Sequence, residues 1–261
     1  MNGLELKQKW QKHIPSFGAF LTSTDPVIAA EMCNIGFEWL IIDAEHNPFN
    51  PETLRDQISI LRYRGVVPVV RVADNSISLI KQVLDYGAEG VMIPMLCSVD
   101  AFQQGVLACR YPPRGVRGFN PRDPTNNFHE LDEYLKTIND RVIVMPQVEH
   151  IDAVKNLDAV LEIEGIDAIM IGPADLSFSM GVPNQIDHPE VQKTLQTIID
   201  KGNAKGIPMG IAVFGTPPVF VEWVKRGITF QLVGTDYGYV YKGGKPILEE
   251  SVRLAKALKS L

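Results

Sequence analysis

Cysteine is scarce in this chain, and the three present (Cys33, Cys97 and Cys109) are odd in number, scattered and without CxxC spacing. A disulfide scaffold and a thiolate zinc ribbon are thereby excluded, and with two of the three in helix-like segments, buried reduced thiols are expected. No stretch approaches the roughly 20 apolar residues that cross a bilayer. The opening MNGLELKQKWQKHIPSF lacks the apolar core of a signal peptide, so a cytoplasmic protein without a membrane partner is expected. Basic residues are neither abundant nor clustered: 25 Lys and Arg stand against 31 Asp and Glu, a formal charge of −6. A nucleic-acid partner, which needs concentrated positive charge on one face, is therefore not expected. Also missing are a low-complexity tract, a Gly/Ser-rich linker, a G-x-S-x-G elbow and a Cys paired with a nearby His.

What is present is a regular alternation. With 261 residues of which 45% are hydrophobic, the chain can bury one large core, and a single domain over 1–261 is the expectation. Strand-like apolar runs recur at 16–21 (SFGAFL), 39–43 (WLIID), 67–72 (VPVVRV), 89–94 (EGVMIP), 142–149 (VIVMPQVE), 167–172 (DAIMIG), 208–213 (PMGIAV) and 229–234 (TFQLVG). Between them lie amphipathic segments such as SISLIKQVLDYG and PEVQKTLQTIIDKGNAKG, apolar at three- and four-residue steps and ending in Gly, as helix C-caps often do. Eight such units predict a closed (β/α)8 TIM barrel of the α/β class. An open doubly wound sheet would usually carry a Gly-rich phosphate turn after its first strand, and GAFLTSTDP is not one. Pro146 removes a ladder donor inside the fifth run, which is tolerable only toward its C-terminal end. The segment 111–128, rich in Pro, Arg, Gly and Asn, has the length of a functional lid.

In a barrel the chemistry gathers at the C-terminal strand ends, and two acids stand there: Glu149 ends the fifth run, and Asp175 follows the sixth after a Gly-Pro turn. Gln147 shares the face of Glu149 by strand alternation. Two carboxylates so placed repel unless a cation lies between them, and a hard divalent ion with oxygen ligands meets that demand better than zinc. The plainer reading is that Asp175 caps the helix beginning near Leu176 and that Glu149 caps or ion-pairs the next segment. Arg71 brings a permanent cation to the same mouth, either for a carboxylate or enolate oxygen or for a structural ion pair with Glu149 or Glu45. In DAEHNPF, Asp43 and Glu45 precede His46, the one His that follows a strand directly with carboxylates beside it, as a general base requires. His13, His129 and His188 read as solvated bystanders, and His150 stays open. The strand runs contain no Lys, against Schiff-base chemistry, and Asp236 in GTDYG would repel a phosphate from the late loops. A carboxylate substrate held by a metal and Arg71 is the expectation.

Taken with GFEWLIIDAEHNPF, PVVRV, IKQVLDYGAEGVMIPM, RYPPRGVRG, QVE, EGIDAIMIGPADLS and VGTD, the chain resembles the HpcH/HpaI aldolase family, metal-dependent class II pyruvate aldolases such as those for 4-hydroxy-2-oxoheptanedioate and 2-dehydro-3-deoxyglucarate. The resemblance implies a barrel whose C-terminal helix is swapped onto a neighbouring subunit, in a homohexamer built as a trimer of dimers. It implies Glu149 and Asp175 as ligands of Mg²⁺, Mn²⁺ or Co²⁺, and Arg71 as the group that stabilises the pyruvate enolate. His46 would be the base and Asp85 its orienting partner. Gln147 and the backbone at Gly172, Pro173, Ala174 and Asp175 would contact the 2-oxo acid, with Asp43 counted among the substrate-binding residues. The implied reaction is reversible cleavage of a 4-hydroxy-2-oxo acid to pyruvate and an aldehyde. Related members decarboxylate oxaloacetate or form citrate, and a barrel that binds keto acids without catalysis is the reading from another class. Departures from the family pattern fall at Phe20, Ala44 and His150, and more strongly in GFNPRDPTNNFHE and AVFGTPP. Arg117, Arg122 and Asn120 would favour an acidic or hydroxylated aldehyde, or else are solvated loop polarity.

Overall fold

The computed structural model describes residues 1–258; the last three positions of the expected domain lie outside them. Eight parallel strands close into a barrel in strict chain order: β1 Ser16–Leu21, β2 Trp39–Asp43, β3 Val67–Arg71, β4 Gly90–Ile93, β5 Ile143–Val148, β6 Ile169–Ile171, β7 Met209–Ala212 and β8 Phe230–Thr235. All eight expected runs are strands. Twelve helices accompany them: α1 Gly3–Gln11, α2 Pro26–Asn34, α3 Pro51–Tyr63, α4 Ile77–Asp85, α5 Val99–Cys109, α6 Leu131–Arg141, α7 Ile151–Lys155, α8 Leu157–Val160, α9 Pro173–Ser179, α10 Pro189–Ala204, α11 Pro217–Lys225 and α12 Asp236–Leu258. No described helix is long and apolar enough to cross a membrane.

Local signals explain the boundaries. Asn2 and Asn50 open α1 and α3 with capping boxes, and Asp25 accepts from the Val27 amide at 2.7 Å before α2. The glycines that end the two amphipathic segments, Gly87 and Gly206, sit at φ +98° and +71°, conformations that a side chain would strain. Pro146 is tolerated because it lies in the upper half of β5, opposite Ile93, the last residue of β4.

Strand alternation divides the core in two. Outward-facing residues such as Leu40, Ile42, Val70 and Val144 pack under the helices, while Trp39, Ile41, Val67, Val69, Met145 and Phe230 fill the barrel. At the N-terminal end α1 acts as a plug. Its Trp10 is fully buried, stacks on Phe230 at 4.1 Å and meets Trp39 edge-on at 5.6 Å. Lys7 and Arg110 secure this end on Asp167 at 3.0 and 2.6 Å. At the C-terminal end the seam between β8 and β1 is latched by Asp236, whose carboxylate accepts from the Thr22, Ser23 and Tyr237 amides at 2.9, 2.7 and 2.9 Å. These three amides are thereby taken up by Asp236.

The segment 111–128 does not cover the mouth of its own barrel. It follows α5, which returns the chain to the N-terminal face, and it is tied there by Tyr111 to Asn139 at 2.8 Å, by Arg114 to Asp140 at 2.5 Å and by Arg62 to the Pro124 carbonyl at 3.5 Å. Length alone suits a lid, but the course of α5 delivers the segment to the opposite end of the barrel. At the other extreme, every residue of α12 from Val240 to Leu258 is exposed, apolar Ile247, Leu248 and Leu254 among them.

The barrel interior leaves no room for a side chain at Gly210, where a Cβ would lie 2.1 Å from the Phe230 ring. Gly210→Ala is therefore expected to lower stability by about 1–3 kcal/mol in urea denaturation; an unchanged midpoint would contradict this packing.

Candidate active site

The parity that buries Trp39, Val67 and Met145 inside the barrel carries Asp43, Arg71 and Gln147 to the same interior at the mouth, two to four residues further on. Asp43 and Arg71 are register partners across β2 and β3. Arg71 donates Nε and Nη2 to the two Asp43 oxygens at 2.8 Å each, and its Nη1 lies 3.1 Å from Glu45. Two of the guanidinium's five N–H groups are hydrogen-bonded, leaving one on Nη2 and the pair on Nη1, the latter within ion-pair distance of Glu45. Phe20 covers the guanidinium carbon at 4.7 Å, and Asn47 steadies Asp43 with a 2.7 Å bond. Burial works against the charge on Arg71, but Asp43, Glu45 and Glu149 outweigh it and raise its pKa. Of the two ion pairs considered from sequence, Glu45 is made and Glu149 is not, and the bidentate partner is Asp43.

Glu149 is buried just beyond β5, where Oε1 accepts the Met95 amide at 2.8 Å and Oε2 accepts from Gln147. Met95 holds a left-handed backbone at φ 52° to present that amide. Burial first, then the neighbouring Asp175 and Glu45 charges, push the Glu149 carboxyl up to about 7, although the Met95 bond and Arg71 oppose the shift. Asp175 occupies the third position of α9, exposed, and makes no hydrogen bond or ion pair among the described residues. Neither acid is a helix cap. The residue before α9 is Gly172, with no side-chain cap, and α7 is capped by His150, whose Nδ1 accepts the Asp152 amide at 3.1 Å. His150 thus has a structural task.

These donors suit a hard divalent cation. Asp175 lines the mouth cavity, the buried Glu149 carboxylate lies close enough to feel its charge, and the Oε1 of Gln147, which also lines the cavity, has no partner. Gly172 makes the approach possible, since a Cβ there would sit 2.6 Å from Glu149 Oε2 and 2.8 Å from Gln147 Nε2. No group of three or more His, Cys, Asp or Glu of metal-holding geometry occurs among the described residues, so remaining positions would fall to water or substrate oxygens, as hard cations permit. A cavity of about 410 Å³ opens here, lined by Phe20, Asp43, His46, Arg71, Gln147 and the stretch Gly172–Asp175, with Phe214 and Tyr237 at its rim.

His46 lines this cavity with its side chain 66% exposed, and its carboxylate neighbour is Glu45 at 3.5 Å. Asp85 does not accompany it within one chain. As the last residue of α4, which runs back from the mouth, Asp85 lies at the N-terminal face and accepts from Arg117 at 3.0 Å. Arg117 is buried there against Tyr111 and Tyr134, Arg122 pairs with Asp123, and Asn120 is exposed. All three stand away from their own barrel's mouth. Sequence reasoning missed the Met95 amide, Asn47 and the rim residues Phe214 and Tyr237; alternation along strands gives no signal for a loop amide.

A closed parallel barrel that gathers carboxylates, a buried arginine and a histidine at its C-terminal mouth has its polar residues where barrel enzymes build their sites. The family model described as HpcH/HpaI aldolase/citrate lyase matches residues 16–242, and the chain belongs to that family. Proteins named 2-keto-3-deoxy-L-rhamnonate aldolase from Escherichia coli and Shigella sonnei are each 37% identical over 231 residues, covering 88% of this chain and 86% of theirs. Among solved structures, an HpcH/HpaI aldolase/citrate lyase family protein from Burkholderia cenocepacia superposes with TM-score 0.88 at 28% identity, covering 95% of this chain and 98% of its own. Citrate synthase SbnG superposes with TM-score 0.87 at 28% identity, covering 97% and 99%. The chain is thus an enzyme of the aldehyde-lyase type.

The Glu149 shift has a consequence for folding. Between pH 4.5 and about 7 the cation-free folded chain keeps a proton that the unfolded chain has lost, so stability falls as pH rises through that window. Urea titrations of chelator-treated protein are expected to show this group removing roughly 2–3 kcal/mol between about pH 5 and pH 8, and Glu149→Gln to flatten the slope. Equal slopes for the two proteins would contradict the assignment.

Proposed function

We propose that the protein is a divalent-metal-dependent aldolase that cleaves 4-hydroxy-2-oxo acids to pyruvate and an aldehyde, with 2-keto-3-deoxy sugar acids as its substrate class. The observation that carries this reading is one cavity at the barrel mouth lined by Asp175, Arg71 and His46, with the buried Glu149 carboxylate just behind it, bonded to Gln147 of the same lining. A Mg²⁺, Mn²⁺ or Co²⁺ ion held by Glu149 and Asp175 would supply Lewis-acid polarisation of the 2-oxo group. The backbone of Gly172–Asp175 and the Gln147 amide line the wall where the carboxylate and keto group would lie.

The chain's own residues then divide the reaction. His46 takes the proton from the C4 hydroxyl as the C3–C4 bond breaks, and the hydroxyl carbon leaves as an aldehyde. The bonding electron pair passes to C3 and the 2-oxo oxygen, where the free N–H groups of Arg71 stabilise the enolate. Protonation at C3 gives pyruvate. Asp43 and Phe20 hold the guanidinium so that it needs no rearrangement as charge develops.

The exposed apolar residues of α12 support the swapped helix and the homohexamer. The orienting role proposed for Asp85 requires a second copy, with the N-terminal face of one barrel set against the mouth of another. The 37% identity to proteins named 2-keto-3-deoxy-L-rhamnonate aldolase supports cleavage, and intact ligand and base positions speak against a barrel that only binds keto acids.

Pyruvate release from 2-keto-3-deoxy-L-rhamnonate and 4-hydroxy-2-oxoheptanedioate should fall more than about 100-fold with EDTA and return with Mn²⁺. Arg71→Lys, which keeps the charge and loses the fork, should lower kcat by about 10²–10³. Turnover indifferent to chelation would remove the proposal.

A further inference from the structure

The carboxylate that serves His46 within the chain is Glu45, one residue before it. A single oxygen, Glu45 Oε2, lies 3.1 Å from Arg71 Nη1 and 3.5 Å from His46 Nε2. The Glu45 side chain is only 14% exposed and the Arg71 side chain 10%, whereas that of His46 is 66% exposed. The histidine therefore has little packing of its own to fix its ring, and the largely covered carboxylate beside it is itself pinned to an arginine that Asp43 and Phe20 immobilise. The Glu45 amide also points to Asp43 Oδ1 at 3.3 Å, which turns the backbone after β2 toward the cavity.

We infer that Glu45 is a positioning residue that couples His46 to Arg71, holding the proton acceptor and the enolate-stabilising cation as one rigid unit. This inference rests on the roles proposed above for His46 and Arg71. The 3.5 Å separation is an ion-pair distance that shortens to a hydrogen bond as the imidazole takes the C4 hydroxyl proton. A neutral residue at position 45 would keep the shape and lose that response.

Glu45→Gln is expected to lower kcat by about tenfold or more, with KM changed less than about threefold and an unaltered melting temperature. In a His46→Ala background the same substitution should change residual turnover less than about twofold, because the two residues act as a unit. Independently of turnover, the ¹⁵N resonances of the His46 ring should move in Glu45→Gln. Wild-type kcat in the variant, equal losses in the two backgrounds, or an unmoved His46 spectrum would each overturn the inference. Absence of pyruvate release by the wild-type enzyme would instead defeat the aldolase reading, and the His46 resonances would still decide the coupling.

Discussion

A buried carboxylate surrounded by other carboxylates is the constraint around which the mouth of this barrel is organised. Glu149 has left water, and Asp175 and Glu45 add like charge, so its proton is held up to about neutral pH. The Met95 amide and Gln147 are too few donors to offset that penalty. An arrangement that is unfavourable for a bare carboxylate is one that a divalent ion would relieve, which is the physical basis of the proposed metal. Arg71 does not take that place, because Asp43 and Glu45 already hold it.

The rest of the fold keeps this unfavourable group in position. Aromatic residues and α1 close the lower barrel, so the interior is packed rather than hollow beneath the site. Parity then delivers polar side chains only at the top of the strands, and the Asp236 latch closes the seam that would otherwise splay the mouth. Gly172 permits α9 to start close enough to bring Asp175 toward Glu149. Stability is thus concentrated in the layers below, and the charged layer above is tolerated at their expense.

The strands, the barrel and the two acids were legible in the sequence because period-two alternation and strand-end placement are local signals. Asp43, Arg71, Gln147 and Glu149 follow from counting two residues at a time beyond buried Trp39, Val67 and Met145. What could not be read is whatever depends on the return direction of a helix. Asp85 and the segment 111–128 carry suggestive residues, yet α4 and α5 run down the outside of the barrel and leave them at the opposite end. The Met95 amide was equally hidden, since a left-handed loop residue is specified by what surrounds it and not by its own side chain. Glu45 was visible beside His46, but its choice of Arg71 as anchor needed coordinates.

The central claim is that one divalent cation is bound between Glu149 and Asp175. Anomalous diffraction from crystals soaked in Mn²⁺ addresses it most directly. The account predicts a single strong peak bridging the two carboxylates, absent from Glu149→Gln crystals; a peak elsewhere, or carboxylates turned away from an empty gap, would contradict it.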